Sequence, residues 1–480
     1  MRWLTAAAGA VCGLVVVALA YALPSQDPSA SAVHHNPAEL PPVIFTAAPV
    51  YDSLAALHGG ERFPKGAQLM VLRSGHAEPF VPELAASADA SVSFDGKTVL
   101  FAGKINPDDP WHIWQAPVNG GTPQLVLSRK TNLIRPLWMP DGRMVYARQG
   151  PRGFILETAA LDGSGAVKLS YLPGNFIPDD VLRDGRVLFE SEFPLGSGAT
   201  ASPGAAIAPE MFLVYADGSG VESVRCDHPD GHPGRGHGHQ ISLEGGAGVA
   251  GDIVFTHGSR LARFTSARAD EAPVAAPAGE FAGDVAELPD GRWVLAMRKP
   301  GAQHFALAGW KPGAAATVLL AQDSTRDLIQ PVVVMPRALP NRHPSALHEW
   351  TTGNLLALDA RASRSGTLGE APAKVRAETL GTDGRVVSLG TAPVENDGSF
   401  FVQAARDRPL RFILLDAAGH PLREEHGWFW VRNGEQRICV GCHTGPERAP
   451  ENRVPLVLLR STTPVDLTGG TAPAATMGGH

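Results

Sequence analysis

Two cysteines and a histidine near the carboxyl end have the types and spacing best suited to chemistry. They lie in the run Cys439-Val440-Gly441-Cys442-His443. Cys-x-x-Cys-His is the attachment motif of c-type haem, in which each thiol bonds covalently to the porphyrin. Since a neutral imidazole is a common proximal ligand of haem iron, His443 is the expected proximal ligand. The sequence therefore predicts one covalent haem c at Cys439 and Cys442.

The same cysteine pair has another interpretation, a zinc or copper site. Structural zinc needs two further ligands, and the chain has no second Cys-x-x-Cys pair. Residues 226–239, however, hold one cysteine and four histidines. Such a tract either binds a metal or forms a solvated loop. A zinc or copper protein stays an alternative to haem.

Three histidines are candidates for the second axial position of the iron. His426 precedes Cys439 by 13 residues, whereas His343 and His348 lie in a proline-containing stretch where the character of the chain changes. A second histidine ligand would favour electron transfer, and an open position would permit reaction with a small molecule.

Three further residues are expected to surround the porphyrin. Trp428 and Trp430 belong to an aromatic run, residues 428–431, that reads as a last strand before the motif. Their side chains are expected to form an apolar wall that limits access of water to the haem. Arg437 is expected near a haem propionate, because guanidinium and carboxylate groups form charge-assisted hydrogen bonds.

A repeated unit of turns and strands fills residues 42–336, before the motif. Asp-Gly turns at Asp95, Asp141, Asp184 and Asp290 each precede a β-rich run, and the first two spacings are 46 and 43 residues. Asp-Gly supplies positive φ at a tight hairpin turn. A period of about 40–45 residues with four strands is typical of a β-propeller. We therefore expect an all-β propeller of six blades, with seven blades or a pair of β-sandwiches as alternatives.

Composition indicates the character of the remaining segments. Residues 1–23 combine Arg2 with an apolar run, typical of a signal peptide, or of a membrane anchor if it is not cleaved. Residues 24–41 read as a flexible leader, 337–461 as a small β-sandwich that ends in the haem segment, and 462–480 as a disordered tail. The part of the chain after residue 23 is therefore expected in the periplasm or on the extracellular side of the cell envelope. It is expected to contact the membrane only through residues 1–23, if these are not cleaved.

Charge and missing motifs exclude several classes of function. The formal net charge of the 480-residue chain is −7, and nucleic-acid binding usually needs a basic face. The sequence contains no P-loop, no dinucleotide-binding fingerprint and no nucleophile elbow. Nucleic acid is therefore not an expected partner.

Two resemblances follow from these motifs. The Pro-Asp-Gly-Arg turns at residues 140–143 and 289–292 resemble TolB-type, PD40-like propeller repeats. The Gly-Glu-x-x-x-Cys-x-Gly-Cys-His run at 434–443, together with residues 393–400, is similar to proteins related to the hydrazine synthase alpha subunit. This second resemblance implies a propeller followed by a β-domain with a covalent haem, and His443 at or close to the iron.

The resemblance is not expected to extend to hydrazine synthesis. The hydrazine synthase alpha subunit uses two c-type haems, whereas this chain has one Cys-x-x-Cys-His motif. The expected function is an exported monohaem protein that passes electrons to a redox partner protein or acts as a haem-dependent oxidoreductase on a small molecule. A propeller that binds a protein or glycan, with haem as sensor or structural element, is the other alternative. The sequence indicates neither substrate nor oligomeric state.

Overall fold

The computed structural model describes residues 40–191, 209–224, 243–266, 269–345, 347–362, 368, 370–381, 383–425, 427–441 and 453–469. The predicted signal segment, residues 1–23, lies outside this part of the chain, as does most of the predicted leader. Among the described residues, no helix has the length and apolar character needed to cross a membrane.

Six four-stranded antiparallel sheets occupy the described residues between 43 and 333. Five of them are built from four strands that follow one another along the chain, at residues 86–127, 133–168, 176–223, 243–273 and 280–321. The strands are β1 (Val43–Ala48), β2 (Gln68–Arg73), β3 (His76–Pro79), β4 (Ala86–Val92), β5 (Thr98–Lys104), β6 (His112–Pro117), β7 (Gln124–Leu127), β8 (Leu133–Trp138), β9 (Met144–Gly150), β10 (Gly153–Ala159), β11 (Val167–Lys168), β12 (Phe176–Val181), β13 (Val187–Ser191), β14 (Glu210–Val214), β15 (Glu222–Ser223), β16 (Leu243–Val249), β17 (Asp252–His257), β18 (Arg260–Phe264), β19 (Ala272–Pro273), β20 (Glu280–Glu287), β21 (Trp293–Arg298), β22 (Ala306–Trp310), β23 (Val318–Ala321) and β24 (Asp327–Val333).

The first and last strands of this region close the sheets into a ring. Strand β24 pairs antiparallel with β1, so that Val43 lies opposite Val333, and the sixth sheet has the order β24-β1-β2-β3. The strands at one end of each sheet contact one another around the ring, from β4 through β8, β12, β16 and β20 to β24. The predicted all-β propeller is confirmed. The blade count stays a prediction, because residues 192–208 and 225–242 lie between these strands and outside the described residues.

The predicted Asp-Gly turns all connect the first and second strands of a sheet. In each turn the glycine has a φ between 73° and 86°. The aspartate Oδ1 accepts a hydrogen bond from the backbone N–H two residues on, which holds the tight turn. The pairs are Asp95 with Lys97, Asp141 with Arg143, Asp184 with Arg186 and Asp290 with Arg292, at 3.0–3.1 Å.

A β-sandwich of two four-stranded sheets follows the propeller, as predicted. Its elements are β25 (Thr352–Ala357), β26 (Lys374–Leu380), β27 (Val386–Pro393), β28 (Phe400–Ala405), β29 (Arg411–Leu415), β30 (Pro421–Glu424), β31 (Gln436–Cys439), α1 (Leu456–Arg460) and β32 (Val465–Asp466). One sheet has the order β31-β25-β28-β32 and the other β27-β26-β29-β30, and Leu355, Val375, Val402 and Leu414 belong to the core between them.

The segment between the two domains runs across the Asp-Gly turns of the propeller. The backbone N–H of Arg337 donates to the carbonyl of Phe94 at 2.9 Å, and that of Asn341 donates to Arg183 at 2.9 Å. A Cβ added to Gly185 would clash with the carbonyl oxygen of Asn341. Glycine is therefore needed there by the close approach of the linker as well as by its φ of 86°.

Candidate functional site

Cys439 is the last residue of β31, a strand at the end of its sheet. This strand pairs in parallel with β25, and Cys439 lies opposite Ala357. The Cys439 carbonyl accepts a hydrogen bond from the N–H of Leu358 at 2.9 Å. Its side chain is half-buried and packs against the core of the sandwich. Because β31 is paired with β25 in this sheet, the position of the first cysteine is fixed.

The described part of the site ends within the Cys-x-x-Cys-His motif. Val440 and Gly441 are described, whereas Cys442 and His443 lie outside the described residues. The attachment of haem to Cys442 and the binding of iron by His443 therefore stay predictions.

Strand β31 has two different faces. Gln436 and Ile438 are exposed, with 63% of Ile438 accessible, whereas Arg437 and Cys439 are half-buried. Since alternate residues of a strand point to opposite faces, Arg437 and Cys439 share the face that is turned away from solvent.

Arg437 connects this face to the propeller and keeps one donor unused. Its Nη2 donates to the carbonyl of Val221, which lies beside β15. Its guanidinium lies 4.9 Å from the ring centroid of Phe429. Its Nη1 is buried and has no hydrogen-bond acceptor among the described residues. The predicted propionate-binding residue therefore lies two positions before Cys439 with a donor available.

The segment that leads into β31 is anchored on both domains. Glu435 accepts hydrogen bonds from the N–H of Gly220 at 3.1 Å and from the N–H of Arg432 at 2.8 Å. The Arg432 guanidinium donates to the carbonyl of Asp217 at 3.1 Å and to Asp407 Oδ1 at 2.6 Å. These contacts fix the approach to the Cys-x-x-Cys-His motif against one propeller sheet.

Trp428 and Trp430 lie in the interface between the propeller and the sandwich. Trp430 is 1% exposed, and its Nε1 donates to the Gly218 carbonyl at 2.7 Å. Its ring lies edge-on to Tyr171, with the centroids 5.9 Å apart. Trp428 is also buried and stacks with the guanidinium of Arg411 at 4.8 Å. The structure thus gives both side chains propeller or sandwich partners, and their contact with a porphyrin stays a prediction.

The prediction of a strand at residues 428–431 is wrong. Phe429 forms a single antiparallel bridge with Leu410, in which each N–H donates to the other carbonyl. The tryptophans on either side pack in a cluster with propeller residues. Trp428 and Trp430 lie on one side of the chain, as they would in a strand, but the ladder to Leu410 stops at this single pair.

The structure describes two of the three candidate distal ligands. The ring of His343 stacks on Tyr215 at a centroid distance of 3.9 Å. The His348 N–H donates to the Asn433 carbonyl at 3.0 Å, and the His348 ring lies 5.3 Å from that of Trp350. Both histidines are exposed, and His348 lies against the segment that leads into β31. His426 lies outside the described residues, so the distal ligand stays a prediction.

The described residues offer no alternative metal site. They contain no group of three or more His, Cys, Asp or Glu side chains arranged to hold a metal ion. The cysteine- and histidine-rich tract at 226–239 lies outside the described residues. A metal site there, and the zinc or copper alternative, stay untested predictions.

A charged cluster inside the propeller was not identified from the sequence. Arg135 donates to both carboxylate oxygens of Asp284, at 2.8 and 3.1 Å, and to Asp179 at 3.1 Å. Arg62 pairs with Asp89 at 2.5 Å. Residues up to 149 positions apart meet here, and no local sequence pattern marks such contacts.

Burial shapes the ionisation of this cluster. It raises the pKa of Asp179 to about 7 despite the Arg135 guanidinium. Burial also opposes ionisation of Asp89, but Arg62 and Arg135 hold the pKa of that carboxyl below its ordinary value. Arg62, Arg135 and Asp284 of this cluster line a small pocket together with Glu190 and Gln330.

Comparison with known proteins places the candidate site within a recognised domain. Residues 357–444 match the family model of the hydrazine synthase alpha subunit middle domain. The resemblance seen in the sequence is confirmed: residues 357–444 are similar to this middle domain. This domain contains β26 to β31 and the whole Cys-x-x-Cys-His motif. None of the curated proteins matches the chain significantly in sequence.

The likeness extends beyond this middle domain in three dimensions. The structure of Kuenenia stuttgartiensis hydrazine synthase aligns at a TM-score of 0.71 and 15% identity, covering 88% of this chain and 72% of that chain. At this identity the likeness shows a shared fold. TolB from Acinetobacter baumannii aligns at a TM-score of 0.44 and 12% identity, covering 62% of this chain and 67% of that chain, too weakly to support an inference.

Proposed function

We propose that this chain is an exported protein with one haem c, bound covalently at Cys439 and Cys442, with His443 as proximal ligand. The observation that carries this proposal is the match to the hydrazine synthase alpha subunit middle domain, because the matched residues end on the Cys-x-x-Cys-His motif. The bound haem would supply one-electron redox chemistry. Export rests on the apolar segment at residues 1–23.

The described residues fit a covalently held, partly shielded group. Cys439 is half-buried at the end of a strand, and on the same face Arg437 has a buried donor with no acceptor among the residues that the structure describes. A haem has an apolar body and two carboxylates, which match an apolar wall with a cation at its margin. Phe429, which lies against Arg437, provides such a wall.

The proposed role is electron transfer to a redox partner protein or redox chemistry on a small molecule. Hydrazine synthesis is not proposed, since the chain has a single attachment motif. The propeller holds the attachment segment through Glu435 and Arg437, each of which contacts a propeller backbone group. The haem would therefore keep a fixed position relative to the propeller.

Production with the c-type haem maturation machinery tests the proposal. The wild-type chain, exported to the periplasm, should give a haemochrome spectrum of a bis-thioether haem in pyridine, at one haem per chain. Variants Cys439→Ala and Cys442→Ala together should lose covalent haem. Colourless wild-type protein that contains zinc or copper by elemental analysis would overturn the proposal.

A carbon monoxide difference spectrum then separates the two proposed roles. A reduced protein that binds carbon monoxide has an open sixth position and is suited to small-molecule chemistry. A reduced protein whose spectrum does not change has a second protein ligand. Replacing His343, His348 and His426 singly by Ala would identify that ligand through the appearance of carbon monoxide binding.

A further inference from the structure

Two arginines in the sandwich each carry a buried guanidinium nitrogen that has no acceptor in the part of the chain that the structure describes. They are Arg423 on β30 and Arg437 on β31, and neither Nη1 has a hydrogen-bond partner among the described residues. Buried polar groups in folded proteins are nearly always hydrogen-bonded, and an unsatisfied charged donor is costly. The two nitrogens therefore point to an acceptor that is not part of the described chain.

Both arginines occupy inward-facing positions of end strands. Arg423 pairs with Leu414 across β29 and β30, and Arg437 pairs with Leu355 across β25 and β31. Leu414 and Leu355 both belong to the core between the sheets. Because paired residues lie on the same face of a sheet, both arginine side chains start from the faces that the two sheets turn toward each other. Cys439 packs against the same core.

Aromatic rings pack beside Arg437, one of the two cations. The Phe429 ring lies 4.9 Å from the Arg437 guanidinium, and the Phe412 ring lies 5.7 Å from that of Phe429. Phe412 is on β29, the strand that pairs with the strand of Arg423. The ligand chemistry that fits is an apolar planar body with carboxylate groups.

We infer that Arg423 and Arg437 form a carboxylate clamp that binds the propionates of the haem attached at Cys439. This inference rests on the proposed function. Residues two apart on a strand are separated by about 7 Å, and the arginine side chain adds further reach, so a porphyrin bonded to Cys439 extends to Arg437. Guanidinium groups bind carboxylates through two parallel hydrogen bonds, and Arg suits this better than Lys.

The clamp has a consequence that a structural role would not produce. Positive charge beside the propionates stabilises the reduced haem. Reduction adds a negative charge to a group that already carries two carboxylates, and a nearby cation offsets that charge. Removing either guanidinium should lower the midpoint potential of the haem. It should also shift the propionate bending band in the resonance Raman spectrum, since that band responds to hydrogen bonding of the carboxylate.

The test compares Arg423→Gln, Arg437→Gln and the double variant with the control Arg385→Gln, all in the full chain matured with haem. Arg385 is an exposed residue next to the opposite end strand, with 86% of its side chain accessible. We expect both single variants to lower the potential, the double variant to lower it further, and the control to match the wild type. Arg423→Lys and Arg437→Lys should restore part of the potential but not the wild-type Raman band.

The outcomes separate the inference from the proposed function. Wild-type protein with covalent haem, whose potential and propionate band do not change in Arg423→Gln, overturns the clamp and leaves the haem proposal standing. This variant is the decisive one, because Arg437 also bonds to the propeller backbone. Wild-type protein without haem overturns the proposed function and the clamp with it.

Discussion

Glu435 accepts a hydrogen bond from the backbone N–H of Gly220 at 3.1 Å, so a turn of the propeller is bonded to the segment that enters the Cys-x-x-Cys-His motif. Glu435 is 8% exposed. The same carboxylate accepts from the Arg432 N–H at 2.8 Å. One buried side chain thus connects the position of the proposed haem to the propeller.

Glu435→Ala should destabilise the protein by about 2–4 kcal/mol, because it leaves one buried and one partly buried backbone donor without their acceptor. Urea unfolding measures this loss. Glu349→Ala is the control, since Glu349 is exposed, and it should change the free energy of unfolding by less than about 0.5 kcal/mol. Equal effects of the two substitutions would contradict the anchoring role.

Trp430→Phe should cost about 2–3 kcal/mol, since it removes the hydrogen bond to the Gly218 carbonyl and part of a fully buried ring. Trp350→Phe is the matched control, because 58% of Trp350 is exposed. Thermal unfolding followed by tryptophan fluorescence compares the two. A lower melting temperature for Trp350→Phe than for Trp430→Phe would argue against a tight interface.

Gly185→Ala should destabilise the protein more than Gly142→Ala. Both glycines have positive φ, 86° and 82°, and alanine there costs about 1–2 kcal/mol. A Cβ at Gly142 has no neighbour within 4 Å, whereas one at Gly185 meets the Asn341 carbonyl. The difference should exceed about 1 kcal/mol, the size of one backbone hydrogen bond, in urea unfolding. Indistinguishable variants would show that the linker does not pack on this turn.

The pKa of Asp179, raised by burial from 3.8 to about 7, predicts a pH dependence of stability. The folded protein keeps the proton over this interval while the unfolded chain loses it, so the contribution of Asp179 to stability falls as the pH rises from about 4 to 7 and is constant above. Asp179→Asn should remove this fall and be more stable than the wild type at pH 8.

Urea unfolding of wild type and Asp179→Asn at pH 5 and pH 8 measures the effect. The amide still accepts from Arg135, so the contact at 3.1 Å is retained. We expect the stability of the variant relative to the wild type to increase by the order of 1–4 kcal/mol between the two pH values. A constant difference between the two proteins would show that the carboxyl is ionised throughout.

Local sequence signals predicted the turns of the propeller and the motif of the site. Asp95 and Asp141 mark hairpins because an Asp side chain and a following Gly close a tight turn without help from distant residues. The pairing of Val43 with Val333 could not be deduced in this way, since it depends on closure of the ring.

The surroundings of the site were harder to predict than its motif. The aromatic character of Trp430 indicates burial but not the partner, and the structure pairs it with Gly218 of the propeller. Arg135 takes a φ of 52° on an inner strand and pairs with Asp284, 149 residues away. Arg423 has no motif around it, and its position is defined by the pairing of β30 with β29.

The intact mass of the exported, denatured protein tests the central claim most directly. After maturation with the c-type machinery, the wild-type chain should carry the added mass of one haem, and a chain with Cys439→Ala and Cys442→Ala should not. Covalent haem that survives denaturation in the wild type and is absent from the double variant is the predicted result. A wild-type mass equal to that of the polypeptide alone would contradict the account.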